Sequence, residues 1–219
     1  MNPSPGVLGS LARVLVRHRG HAPSVDPSAY IAPSAELIGR VSVGPRTRVM
    51  SGAVLDAEGS RIDIGECAIV CEHAVLRATA VAEEDQPVVV GDHAFVSPHA
   101  TLLGCQLDAA TYVATGATVL QGARVATGAV VAVAALVHGG AVLPSGFFLA
   151  PGMIAIGDPV ATYAPGDPSL PEAIKGVGFA GRAFGVSTAW EDRIARYREI
   201  AEVRSKEFGA HAHDEPVAP

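Results

Sequence analysis

The sequence predicts an all-β solenoid with a C-terminal helix, and three observations carry that prediction. A branched aliphatic recurs every six residues, small residues follow it where the backbone has to turn, and large side chains are scarce. Of 219 residues 49% are hydrophobic but only 5% aromatic, with 24 glycines and 16 prolines. The repeat opens with Val25, Ile31, Leu37, Val43, Val49 and Leu55, resumes with Ile64, Val70 and Leu76, and again with Val90, Val96 and Leu102. After one five-residue step it runs Leu107, Val113, Val119, Val125, Val131, Val137, Leu143 and Leu149. A helix would place apolar residues three and four apart, so a period of six excludes one. It fits a coil with three short flat faces and one inward aliphatic on each. Three hexads close a coil, which gives about seven coils starting at 25, 43, 64, 90, 107, 125 and 143. Stacked coils pair at about 4.8 Å, and the inward residues fill a narrow prism that admits Val, Ile and Leu more easily than Phe or Trp.

Taken in chain order, residues 1–24 carry Leu8, Leu11, Val14 and Leu15 at helical spacing against Arg13, Arg17 and Arg19. They are expected to form a capping segment or helix on the open end of the prism. The solenoid is expected over 25–163. Its two register breaks, 57–63 and 77–89, leave from the same corner, as insertions beside a binding face do. The second carries Glu83, Glu84 and Asp85, which suit a solvated acidic loop equally well. A Pro- and Gly-rich extended strap is expected over 164–187. Thr188 and Glu191 then read as a capping box opening a helix over 188–209, with Trp190, Ile194, Tyr197 and Ala201 on its packed face. Residues 210–219 read as a frayed tail.

Composition narrows the function classes. Mean hydropathy is +0.31 and charged residues make up 17%, which excludes disorder for most of the length. Every Val and Ala run is cut by Gly, Pro or a charge before the roughly 20 apolar residues that span a bilayer, so no membrane partner is expected. A net charge of −6 and a pI near 5.7 argue against nucleic acid as a partner. Three cysteines, Cys67, Cys71 and Cys105, without paired spacing and an N-terminus interrupted by Arg13 point to a reducing, cytoplasmic location.

Several segments resemble the hexapeptide-repeat proteins and, within them, the γ-class carbonic anhydrases. They are Val25-Asp26-Pro27-Ser28-Ala29-Tyr30-Ile31-Ala32-Pro33, the stretch from Val89-Val90-Gly91-Asp92 to Leu102-Leu103-Gly104-Cys105, and Gly157-Asp158-Pro159-Val160. The resemblance implies a left-handed parallel β-helix, a homotrimer, and zinc held at the subunit interface by three histidines. It also implies where the ligands belong, and the three slots hold Arg77, Pro98 and Leu103. None offers the N, S or O donor that zinc needs, and without the ion no water is activated near neutral pH. The family's Arg-Gly-Asp reads Asp56-Ala57-Glu58 here, and its Gln before the first ligand is Cys71. Carbonic anhydrase activity is therefore not expected, and neither a metal nor an obligatory cofactor is expected, with acyl-CoA kept open.

The register gives the substituted site positive content. Asp56 and Arg77 each follow an inward aliphatic in adjacent coils, so they should face one another cross-strand. The pair either fills the space as a salt bridge or serves a site in which Arg77 binds a carboxylate, phosphate or acyl carbonyl and Asp56 orients it. His73 and His99 occupy a second column, as turn residues or as a proton-handling pair. His93 lies on another face, and His138 reads as a surface residue. Candidate catalytic residues are thus Asp56, Arg77, His99 and His73, around an interfacial small-molecule pocket in a homotrimer. Three functions remain open: a protein that binds another small molecule or converts it as a metal-independent lyase or hydrolase, a CoA-dependent acyltransferase, and a non-catalytic trimeric scaffold.

Overall fold

The repeat aliphatics become inward residues of two- and three-residue strands that alternate among three parallel sheets. A computed structural model describes residues 14–81 and 84–217. The first face runs from Ser24–Val25 to Val142–Leu143 and the second from Tyr30–Ile31 to Phe148–Leu149, with seven strands each. The third contains Glu36–Ile38, Val54–Asp56, Val75–Arg77, Thr101–Leu103, Thr118–Val119, Leu136–Val137 and Ile154–Ile156. Seven complete coils result, and Val14–Arg17 adds one more strand beside Glu36–Ile38. Both register breaks leave from the corner between the third face and the next coil's first face, since Asp56 precedes Ile62 and Arg77 precedes Val88 across it.

Side chains of equal position stack on one another. On the third face Leu37, Leu55, Leu76, Leu102, Val119, Val137 and Ala155 are register partners in turn, and each is fully buried. Each large aliphatic taken from water contributes about 1.5–3 kcal/mol, so the column is a principal source of cohesion. The corner before this face demands a left-handed residue three positions ahead of the inward aliphatic. Gly52, His73, His99, Gly116, Ala134 and Gly152 fill it with φ between 55° and 72°. Gly52 is required there for a second reason: a Cβ would lie 2.4 Å from the His73 Nδ1 that overlies it.

The ends depart from the sequence expectations. Residues 1–13 lie outside the described residues, but Val14–Arg17 is a strand and not the continuation of a capping helix. Its outer edge pairs antiparallel with Glu215–Val217, so the segment expected to be frayed is an ordered closing strand that covers an otherwise open sheet edge. The strap is helical: α1 (Leu170–Val177) and α2 (Phe179–Phe184) end at Gly178 and Gly185 in left-handed conformations. The glycines that suggested an extended chain are helix terminators. The last helix, α3 (Arg193–Phe208), starts after Asp192, whose carboxylate accepts from the Ala195 N–H at 3.1 Å. Thr188 instead donates to Glu199. Ile194 and Tyr197 are 70% and 64% exposed, and Trp190 is only half-buried beneath Arg196, because α3 docks through charged groups and not through that stripe.

Among the described residues no helix is long and apolar enough to cross a membrane. Cys67, Cys71 and Cys105 are free thiols, and burial pushes Cys105 up to about 12, which leaves it unreactive.

Candidate functional site

Asp56 and Arg77 end neighbouring strands of the third face as direct register partners, as the six-residue spacing requires. Asp56 is buried and its carboxylate accepts from the Glu58 N–H at 3.0 Å, which folds the first register break back over the corner. Glu58 is thereby buried beside it. Arg77 Nε lies 3.5 Å from Asp56 Oδ2 and 3.4 Å from Glu58 Oε1, close enough for ion pairing but without a formal hydrogen bond. The Arg77 guanidinium rests 5.1 Å above the Phe208 ring.

The C-terminal segment completes this corner. Arg204 of α3 clasps Glu58 with both terminal nitrogens, Nη1 to Oε2 at 2.9 Å and Nη2 to Oε1 at 2.5 Å, and lies over Phe208 at 4.2 Å. Two carboxylates and two guanidiniums therefore balance. Beyond Phe208, His211 places Nε2 3.5 Å from Asp56 Oδ2 and Nδ1 2.8 Å from Asp214 Oδ2. Asp214 Oδ1 is 2.5 Å from Nδ1 of the fully buried His18, whose ring stacks on that of His211 at 4.3 Å. Burial alone would push the Asp214 carboxyl up; the hydrogen bonds and charges of His18 and His211 together outweigh it and hold the group below its ordinary value.

Arg77, Thr79, Leu103, Gln121, Phe184, Arg204 and Phe208 line a cavity of about 220 Å³ at this corner. The buried Gln121 Oε1 has no partner. Gln121 was legible in principle. It stands in a column whose other members are Gly39, Ala57, Ala78, Gly104, Gly139 and Gly157, so it is the one polar side chain where the coil otherwise uses Ala or Gly. Arg204, His211, Asp214 and His18 could not be found from spacing, because nothing in the repeat says where the chain ends return. Of the acidic loop, Asp85 lies 3.7 Å from Arg61, Glu84 lines the large cleft beside the first face, and Glu83 falls outside the described residues.

His73 and His99 stack as the register predicts, with centroids 5.3 Å apart and planes within 12°, and both are exposed. They stand at the opposite end of the third-face strands from Asp56 and Arg77, so a single chain does not bring the four residues together. Their positive φ is a property of the corner and no sign of a site, since Arg46, Cys67, His93 and Ala110 adopt it too. His138 is not the surface residue the sequence suggested. It is buried, edge-on to Phe179 at 5.3 Å, because α2 covers its corner.

Burial pushes the His138 pKa down, so the unfolded chain takes up a proton first as pH falls below the ordinary value of 6.5. Stability from this group is complete above that value and is lost as pH falls through the folded value. The His138→Leu variant removes the contribution. Its urea midpoint should fall less between about pH 7 and about pH 5 than that of the unaltered chain, whereas parallel falls would show that His138 is not charged on unfolding.

A large open cleft of about 790 Å³ lies between the first face and the α1–α2 hairpin, lined by Gly104, Gly122, Gly181 and by Arg124 and Arg182 among others.

Comparison with known proteins places these features. No family model matches the chain. It is 30% identical over 110 residues to γ carbonic anhydrase 1, mitochondrial, of Arabidopsis thaliana, covering 49% of this chain and 40% of that protein. It is 35% identical over 108 residues to γ carbonic anhydrase 3, mitochondrial, of the same plant, covering 48% and 42%. A carbonic anhydrase of Methanosarcina thermophila is 38% identical over 69 residues, covering 31% and 28%. The chain thus matches about two fifths of the length of its plant relatives. Among solved structures, the hexapeptide transferase family protein of Anaplasma phagocytophilum superposes with a TM-score of 0.51 at 23% identity, over 88% of this chain and 98% of that one. The chain therefore has the left-handed parallel β-helix fold seen in hexapeptide-repeat proteins and is similar over about half of its length to γ-class carbonic anhydrases.

Proposed function

We propose that the chain is a γ-carbonic-anhydrase-like protein that does not hydrate carbon dioxide by the family's zinc mechanism and instead binds or converts another small polar molecule at the Arg77 corner. The observation that carries this reading is the cavity beside Arg77. It offers a half-exposed guanidinium with an unbonded Nε, a buried acceptor without a partner at Gln121 Oε1, and two aromatic walls at Phe184 and Phe208. A volume of about 220 Å³ suits a ligand smaller than the drug-sized molecules that fill roughly 300–1,000 Å³. Arg77, Pro98 and Leu103, which stand where the resemblance puts the zinc ligands, supply no donor to a metal. Asp56 holds Arg77 in place, and the ligand takes the remaining hydrogen-bonding capacity of the fork.

The working form is a homotrimer. Tyr30, Tyr112 and Phe148 project from the second face at 44%, 42% and 63% exposure, and Ile194 and Tyr197 from α3. A lone prism would leave this apolar surface in water. A neighbouring copy covers it and sets its own His99, beside Pro98, against the Arg77 corner of the first.

A second reading, acyl transfer from acyl-CoA, is favoured by the cleft of about 790 Å³, whose glycine-lined wall exposes backbone and whose Arg124 and Arg182 suit phosphates. The deeply covered His138 does not serve as its base while α2 remains in place.

The test is a thermal-shift and titration screen on the purified trimer with bicarbonate, short carboxylic acids and acyl-CoAs, alongside carbon dioxide hydration. The expected result is no hydration above background, a stabilising small acid or anion, and loss of that stabilisation in Arg77→Ala. Zinc-dependent hydration at a family-like rate overturns the reading, and so does a ligand shift that Arg77→Ala leaves unchanged.

A further inference from the structure

Four of the eight histidines, His18, His21, His211 and His213, lie on the two segments that close the open end of the prism. The paired Val14–Arg17 and Glu215–Val217 strands bring those segments together. Three potential ligands converge between them. One ligand atom each from His18, His211 and Asp214 falls within 4.8 Å of the others, and among the described residues no other group of three does so. We propose that His18, His211 and Asp214 form an intrasubunit binding site for a divalent transition metal of the zinc type, which ties the C-terminal tail to the first strand. It shares no ligand with the interfacial site implied by the γ-class resemblance, whose slots hold Arg77, Pro98 and Leu103.

The donor set is two imidazole nitrogens and one carboxylate oxygen, which zinc accepts at about 2.0–2.2 Å, with a fourth position left to water. Asp56 supplies the supporting partner such sites use. Its Oδ2 lies 3.5 Å from His211 Nε2, placed to receive a hydrogen bond from that nitrogen once a metal takes Nδ1. The site is sheltered, with His18 at 1% exposure. Without metal, the same atoms form a hydrogen-bonded trio in which the Nδ1–H groups of His18 and His211 both donate to Asp214, while His18 Nε2 accepts from Arg19 Nε at 3.3 Å. Metal entry needs the neutral ring with its lone pair on Nδ1. In each ring the Nδ1 proton leaves and Nε2 carries one instead, facing Asp56 in His211 and, in His18, displacing the hydrogen bond from Arg19 Nε, while Arg19 keeps its bond from Nη2 to Glu207 at 2.6 Å. Protonated rings release protons on binding, so affinity falls as the imidazoles are protonated.

The experiment uses the full chain stripped with EDTA, loaded with zinc and desalted, with metal counted by mass spectrometry and Co2+ absorption recorded on a parallel sample. The expected result is one zinc per chain, a raised Tm, and binding at least tenfold weaker at about pH 5 than at about pH 7.5. His211→Gln and Asp214→Asn should each lose the metal and the Co2+ band, and Asp56→Asn should weaken binding by roughly 10–100-fold. The double variant His73→Gln, His99→Gln should keep both. Melting curves without metal verify that each variant is folded. Zinc that varies with washing, an adventitious ion only, overturns the proposal. So does stoichiometric zinc that survives in His211→Gln, or zinc that disappears in the His73, His99 variant. None of these outcomes depends on whether Arg77 binds a small molecule.

Discussion

Arg204→Leu should destabilise the folded chain by about 3–5 kcal/mol, read as a lowered urea midpoint with an unchanged slope. Among the described residues Arg204 alone hydrogen-bonds the Glu58 carboxylate, whose side chain is 1% exposed, and its own side chain is 15% exposed. Removing it leaves Asp56 and Glu58 together in the corner with one guanidinium between them, and that guanidinium makes no formal hydrogen bond to either. An uncompensated carboxylate out of water is costly, and the like charge beside it adds to the cost. Phe208 also loses one of the two cations against its ring, worth about 0.5–1 kcal/mol. Arg204→Lys should recover little of this, because an ammonium cannot meet both carboxylate oxygens in a fork. Pairing Arg204→Leu with Glu58→Gln should cost clearly less than the two single changes added together, since each removes the other's reason to be charged. A loss below about 1 kcal/mol would mean that α3 is held by other contacts.

This clasp marks where sequence reasoning ran out. The prism was legible because its cause is local: one buried aliphatic per six residues leaves a periodic trace, and that trace fixes which residues are cross-strand partners. Asp56 opposite Arg77 and His73 under His99 both followed from it. The chain ends obey no repeat. The glycines at 178 and 185 read as extended chain although they terminate helices, and the stripe of Ile194 and Tyr197 read as a packed face although α3 docks through Arg204. A tail of Gly209 to Val217 carries no apolar pattern at all. It is ordered by one antiparallel strand pairing and by polar contacts of Asp214 to His18, 196 residues away, and of His211 to Asp56. Such long-range polar convergence has no signature in spacing, and for that reason residues 210–219 read as a frayed tail. Their place beside Asp56 follows from the closing strand, a feature of topology rather than of pattern.

Leu76→Ala should cost about 2–5 kcal/mol, the range for truncating a buried leucine whose surroundings cannot collapse. Leu76 is fully buried between its register partners Leu55 and Leu102, and the backbone on both sides is fixed by parallel ladders. Coils cannot move together to fill the gap without breaking those ladders, so the cavity persists. The same truncation at Leu149 should cost less, because its strand ends the second sheet and only one coil packs on it. In a stacked array each coil is held by its neighbours, so a central defect weakens the coupling between the halves on either side. A urea transition that broadens or divides in Leu76→Ala but stays sharp in Leu149→Ala would reveal that coupling. Arg77 follows Leu76 directly and owes its position against Asp56 to the same register, so the central variant should also weaken ligand binding at the Arg77 cavity. The terminal variant should leave that binding intact. Equal stability losses at both positions would place the cohesion of the prism in local burial alone, with no contribution from the stacking order of the coils.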